Sequence, residues 1–392
     1  MSVELLPQPT ALIARRVFFP NLNGLRFWAA LMVIISHFED ERLLKGLSIP
    51  FSLDVLYSIG QLGVTLFFVL SGFLITYLLL AEKDTFGRIS FGAFYMRRIT
   101  RIWPLYYVIT ILGLFVLPRI GLFFDPQLTP LIQENMGEQI LLRVFMLPNA
   151  ANVLLPIVPY LPQCWSIGAE EQFYLVWPIL IHLSHRYVRN FLLVAGGTYL
   201  VWQLSWFLTS PQRQLLPNNE LMMFVKNFLF LFRIQCMAIG GIFALVLYRN
   251  KTAILKRLTA RPVQVGVWVL LLFLIGRGQG IPYVNHEAYS FLFGIVILNL
   301  ALTDSSIFNL RHPVLDYLGR ISYGLYMWHF MAITVGVWLA GLVLRAEGPA
   351  RHTLAFVLTV LVSIALAAAS YHFLETPFLR LKKRFTRIHS GS

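Results

Sequence analysis

The sequence predicts an all-α polytopic membrane protein, a bundle of about ten transmembrane helices with both termini cytoplasmic. Three observations carry that prediction. Of the 392 residues, 57% are hydrophobic and 13% charged, whereas a soluble domain carries about a quarter charged residues. The apolar residues stand in blocks long enough to cross a hydrocarbon core about 30 Å thick. Lysine and arginine gather in the short segments between alternate blocks, as membrane topology requires. A net charge of +14 distributed in this way speaks for a membrane rather than nucleic acid, and no polar stretch is long enough to build a second core. The two cysteines, Cys164 and Cys236, give neither a metal-binding spacing nor a disulfide framework.

The first apolar run, Phe27–Phe38, follows Arg15 and Arg16 and is short enough for a signal-peptide core. His37-Phe38-Glu39-Asp40 nevertheless stands where a small-residue cleavage site belongs, so the block at 22–43 reads as a retained first helix. The second span, 55–80, carries Gly60, Gly63, Ser71 and Gly72, which either let helices approach closely or line a ligand tunnel. A third span at 102–118 follows a basic run. The stretch 140–163 is apolar, but Pro148, Pro156, Pro159 and Pro162 make it an interfacial or re-entrant segment. Spans at 165–183, 191–209 and 225–248 come next. Two at 263–276 and 288–303 are short for the core and must tilt, break or borrow length from their flanks. The last two are 321–344 and 353–373. No internal repeat or low-complexity tract is present. The chain thus divides into a cytoplasmic N-terminal segment at 1–20, a membrane domain at 21–376 and a basic cytoplasmic tail at 377–392. Orientation follows from charge: 22 of the 32 Lys and Arg lie on the side of the termini, 9 on the other, and Arg233 falls within a span.

Charged and titratable groups at or within apolar spans are costly there and are functional candidates for that reason. Arg26 and His37 are eleven residues apart on the first helix, within about 20° of three full turns, so they share a face and stand about 16 Å apart along its axis. A neutral imidazole is suited to take a proton from a hydroxyl, and Asp40 and Glu41 are spaced to orient it. The competing reading is a histidine hydrogen-bonded at the outer interface. In Arg97-Arg98-Ile99-Thr100-Arg101, Arg98 and Arg101 are neighbours on one helical face, either a phosphate-binding fork or a topological flank. Glu170 and Glu171 open the fourth span within an aromatic run. At least one must point into the bundle, to exchange protons or to make a structural hydrogen bond. Arg233, in mid-span, needs a carboxylate or a substrate phosphate, while His329 and His372 read as satisfied core histidines. The basic tail reads as a solvated, lipid-facing anchor.

Taken together these stretches resemble the acyltransferase-3 family of membrane O-acyltransferases. The resemblance rests on Gly24-Leu25-Arg26 through Ser36-His37-Phe38, on Gly63-Val64 through Phe67-Phe68-Val69-Leu70-Ser71-Gly72-Phe73-Leu74, on Arg97-Arg98-Ile99-Thr100-Arg101-Ile102-Trp103-Pro104 and on Trp165-Ser166 with Glu170-Glu171-Gln172-Phe173-Tyr174. Ser322-Tyr323-Gly324-Leu325-Tyr326 and Glu375-Thr376-Pro377-Phe378 also fit, so the match runs from about residue 20 to 380. The resemblance implies transfer of an acyl group, usually acetyl, from coenzyme A onto a hydroxyl of a sugar, glycan or lipid-linked acceptor, without a metal. It implies His37 as the catalytic base, Arg26 supporting it or the donor, and Glu170 in the acceptor or proton-transfer site. Arg98 and Arg101, with Arg97 and Ser71 beside them, would contact acetyl-CoA. The chain is read as multi-pass in the plasma membrane, a bacterial inner membrane. It stops shortly after the tenth span, so the acceptor is expected to be reached by the membrane domain itself. Direct transfer is expected, with an acyl-histidine left open. The rival from another class is a proton-coupled transporter or flippase of an anionic or lipid-linked substrate.

Overall fold

The computed structural model describes residues 17–44, 52–210, 215–216, 219–278, 280–281, 283–302 and 305–388, so most of the segment 1–20 and the last residues of the tail lie outside the described residues. The chain is helical throughout, with no strand among the described residues. The helices run in the order α1 Pro20–Leu44, α2 Leu53–Phe86, α3 Phe91–Ile111, α4 Leu128–Glu134, α5 Met136–Val144, α6 Pro148–Leu154, α7 Cys164–Leu183, α8 Tyr187–Thr209 and α9 Glu220–Phe232. They continue as α10 Ile234–Tyr248, α11 Thr252–Leu258, α12 Arg261–Arg277, α13 Asn285–Ala301, α14 Pro313–Arg320, α15 Ser322–Val343, α16 Pro349–Ala369 and α17 Thr376–Lys382.

Among the described residues, six helical stretches are long and apolar enough to cross a membrane: Leu53–Phe86, Phe91–Arg119, Tyr187–Thr209, Glu220–Tyr248, Ser322–Val343 and Pro349–Phe385. The bent pair α11–α12, with 54° between its halves, makes a seventh if it is one span. Length and apolarity therefore carry six or seven of the ten predicted spans. Of the others, α13 has 17 residues, while α1 and α7 interrupt their apolar runs with charged side chains. The stretch 140–163 holds no helix long enough to cross: it is built of short helices, with Pro148 opening α6. α3 begins at Phe91, so Arg97–Arg101 sit inside a helix rather than ahead of one. The span predicted at 225–248 is interrupted at Arg233, which takes a left-handed φ of 41° between α9 and α10.

In lipid, helices gain no hydrophobic advantage from meeting, so association depends on close packing through small residues. α2 is the central post, packed by α1, α10 and α13. A methyl group at Gly72 would stand 1.9 Å from the Met237 carbonyl oxygen, and one at Gly240 would stand 2.2 Å from that of Val69. A methyl at Gly63 would meet the Ala29 carbonyl of α1 at 2.7 Å. The glycines of α2 thus let its neighbours in, whereas Ser71 turns to a cavity.

Because the obstruction at Gly72 is backbone, it cannot step aside. Gly72→Ala is expected to destabilise the fold by about 1–3 kcal/mol through overpacking, whereas Gly92→Ala, where a methyl meets nothing within 4 Å, should be neutral or slightly stabilising. Thermal unfolding of the two variants in detergent makes the comparison; equal melting temperatures would show that α2 and α10 tolerate separation.

Candidate active site

One end of the bundle, where α1 and α3 begin and α2 ends, holds a cavity of about 1080 Å³. Among the described residues, eight basic side chains line it: Arg26 of α1, Arg98 and Arg101 of α3, Arg320 of α14, and Arg380, Lys382, Lys383 and Arg387 from the C-terminal segment. Among the described residues Glu170 is the only carboxylate on its wall. Such a concentration of one sign of charge between low-dielectric walls focuses the field on an anion.

Local geometry explains why these side chains point inward. Arg26 donates from Nη1 to Asn23 Oδ1 at 3.1 Å, one turn earlier on α1. Asn23 in turn donates to Asp316 at 2.7 Å, and Asp316 pairs with Arg320 at 3.1 Å. Arg98 lies between the rings of Phe94 and Tyr174, at 5.9 and 5.7 Å from their centroids, and its Nε is buried without a hydrogen-bond partner. Arg101 pairs with Glu375 at 3.6 Å, donates to the carbonyl of Arg320 at 3.3 Å and lies over the Tyr323 ring. Tyr174 donates to Glu170 at 2.8 Å, one helical turn away, and is itself 2.7 Å from Ser71 Oγ. Since the phenol hydrogen is spent on the carboxylate, the serine hydroxyl must be the donor in the second bond.

Two predicted neighbours are placed elsewhere. Glu171 does not line the cavity and accepts from Trp103 Nε1 at 3.2 Å. Arg97 does not line it either. Its guanidinium pairs with buried Glu82 at 3.0 Å and donates to the carbonyl of Phe385 at 2.8 Å. The tail also departs from the solvated anchor predicted for it, because it folds back onto α3 and walls the cavity.

His37 is not on the cavity wall. Its Nδ1 is 2.9 Å from Nε2 of His329, with the two rings stacked at 5.0 Å and Phe330 packed against both. His329 Nδ1 is 2.6 Å from the carbonyl oxygen of Tyr326, and Tyr326 lines the cavity. The order of protons follows from this network. A carbonyl only accepts, so His329 carries its hydrogen on Nδ1. The Nε2 of the neutral ring then accepts, and His37 must donate from Nδ1. Nε2 of His37 is left with a free lone pair, which is the form a general base needs. The orienting role expected of Asp40 or Glu41 thus falls, at Nδ1, to His329. Sequence spacing carried no signal for it, since the two histidines are separated by 292 positions. Tyr326 is tied further by its hydroxyl, 2.7 Å from Ser166 Oγ and 3.1 Å from the Gln163 carbonyl.

The profile of a known family, described as an acyltransferase domain and numbered acyltransferase 3, matches residues 19–368. Among named proteins, O-acetyltransferase OatA of Staphylococcus aureus is 29% identical over 381 residues, covering 92% of this chain and 57% of that protein. Peptidoglycan O-acetyltransferase OatA of Listeria monocytogenes is 25% identical over 384 residues, covering 92% and 56%. The chain therefore spans little more than half the length of these relatives. No solved structure matches.

Arg97 separates structural from ligand-facing arginines. Arg97→Gln leaves Glu82 buried and unpaired, which is expected to cost about 3–5 kcal/mol and to lower the melting temperature markedly. Arg97→Gln combined with Glu82→Gln should recover most of that loss, since no uncompensated charge remains. An unchanged melting temperature in Arg97→Gln would mean that the pair does not hold α2 to α3.

Proposed function

The chain belongs to the acyltransferase-3 family, and from that premise we propose that it moves an acetyl group from acetyl-coenzyme A onto a hydroxyl of a sugar or glycan. The observation that carries this reading is the cavity with eight cations and one carboxylate, suited to a donor bearing several phosphates. The relatives named as O-acetyltransferases, one of them for peptidoglycan, support acetyl as the group and a glycan hydroxyl as the acceptor class. Family membership also favours a transferase over a carrier.

The proposed membrane arrangement has ten spans, adding α1, α7, α13 and the bent α11–α12 pair to the six long helices, with both termini cytoplasmic. The basic mouth of the cavity then opens to the side where the donor is made. Arg98 and Arg101 hold phosphate oxygens with their planar forks, and Arg26 adds charge deeper on the same wall. The pantetheine arm reaches about 15–20 Å past Tyr326 towards His37, a length matched by the rise of about 16 Å between Arg26 and His37 on α1. His37 Nε2 takes the proton of the acceptor hydroxyl as its oxygen attacks the thioester carbonyl carbon. The carbon–sulfur bond breaks, and the imidazolium returns its proton to the leaving thiolate. Glu170, with Tyr174 and Ser71 in line behind it, offers acceptor atoms for the incoming hydroxyl. His329 acts as a positioning residue that fixes the tautomer of the base.

Two outcomes follow. His37→Ala is expected to lower turnover by about 10²–10⁴-fold, the span of general-base effects, in a protein that remains folded. His329→Leu should also lose turnover, while His329→Gln, whose amide both accepts from His37 and donates to Tyr326, should retain distinctly more. Equal activity of the Leu and Gln variants would remove His329 from the relay.

Orientation is checked by cysteine labelling, which the burial of Cys164 and Cys236 makes practicable. An impermeant thiol reagent on intact cells should modify a cysteine introduced at Gln127 and spare one at Lys251. Labelling at Lys251 would invert the arrangement and take the cytoplasmic donor entrance with it.

A further inference from the structure

The residues that follow the last long helix form a wall of the cavity. α17 packs on α3, and the carbonyl of Phe385 accepts from Arg97 at 2.8 Å. The Arg387 guanidinium lies 5.6 Å from the centroid of the Phe86 ring, at the end of α2. The segment therefore bridges the ends of α2 and α3, and the bridge turns Arg380, Lys382, Lys383 and Arg387 onto the cavity. Arg384, in the middle of the same run, is left off the wall.

Gathering four like charges at one rim opposes folding unless something of opposite sign enters. Arg380, Lys383 and Arg387 are exposed, whereas Arg26, Arg98 and Arg101 are half-buried. The cations thus run from an open rim to a deep wall, so a ligand whose phosphates stand at two points can set some against Arg98 and Arg101 and others at the rim. We propose that Arg380, Lys382, Lys383 and Arg387 of the C-terminal segment hold nucleotide phosphate of the donor at the rim, acting as part of the binding site and not only as a membrane anchor. This rests on the donor reading given above. Lys382 and Lys383, as compact ammonium charges, supply attraction without a fixed geometry, while Arg387 is braced on Phe86 and presents a planar fork.

The test measures coenzyme A affinity by calorimetry on the full chain in nanodiscs of zwitterionic lipid. Lys382→Gln combined with Lys383→Gln should raise the Kd at least tenfold and flatten its dependence on salt, as lost ionic contacts do. Arg387→Gln, a single change at the exposed rim, should raise it severalfold, and Arg384→Gln should leave it within twofold. Adenosine 3′,5′-bisphosphate, which keeps two of the three phosphates and lacks the phosphopantetheine arm, should compete in the wild type and fail in the double variant. Unchanged coenzyme A affinity in both the double variant and Arg387→Gln overturns the inference while leaving the donor reading in place. A loss in Arg384→Gln as large as in the double variant also overturns it, because the segment would then act by bulk charge. So does competition between phosphatidylglycerol in the nanodisc and coenzyme A, which would make the segment a lipid-headgroup site. Absence of coenzyme A binding in the wild type removes the donor reading, and the inference with it.

Discussion

A charge inside hydrocarbon has no water to face, and most of this structure follows from that constraint. Each such group must pair, find backbone dipoles or open onto a wet cavity. Arg97 pairs with Glu82 and Arg101 with Glu375. Lys83 finds dipoles instead: its ammonium donates to the carbonyls of Ile181 and His182 at 3.0 Å each and to the Tyr187 hydroxyl at 3.0 Å. It thereby caps the negative end of α7 and ties that helix to α2. Arg26, Arg98 and Glu170 are instead turned into one cavity.

Arg233 obeys the same rule at a different place. It sits in a left-handed break between α9 and α10, donates to the carbonyl of Phe230 and to Gln61, and lies against the rings of Phe230 and Trp165. Its Nη1 is buried without a hydrogen-bond partner. A backbone carbonyl, an amide and two aromatic faces stabilise the charge, and it lies away from the cavity wall.

The polar network and the helix packing depend on each other. α1 carries both Arg26 and His37, and it is held against α2 by the near contact of Gly63 with Ala29 and against α15 by the pairing of His37 with His329. A shift of α1 by a fraction of an ångström would therefore alter the cavity wall and the histidine pair together. The short 2.6 Å contact from His329 to the Tyr326 carbonyl makes that coupling directional, because it leaves one arrangement of protons for the pair.

The sequence by itself determined the membrane class, the six stretches long and apolar enough to cross, the break-up of 140–163 by prolines, and the residue types that would matter, because hydropathy and charge are local properties of a chain. It brought Arg26, Arg98, Arg101, Ser71 and Glu170 onto one list, and the fold brings all five to one cavity. The sequence read both α1 and α7 as spans, and the charged residues that marked them as functional are also what lowers their apolarity. Only the tertiary structure decided that Glu170 faces the cavity while Glu171 turns to Trp103, a difference of 100° on one helix that no motif spacing resolves. It alone placed Arg97 in a structural pair, set His329 behind His37, and folded the basic tail back over the entrance. Each of these depends on contacts between elements far apart along the chain, and such contacts are set by how the helices pack.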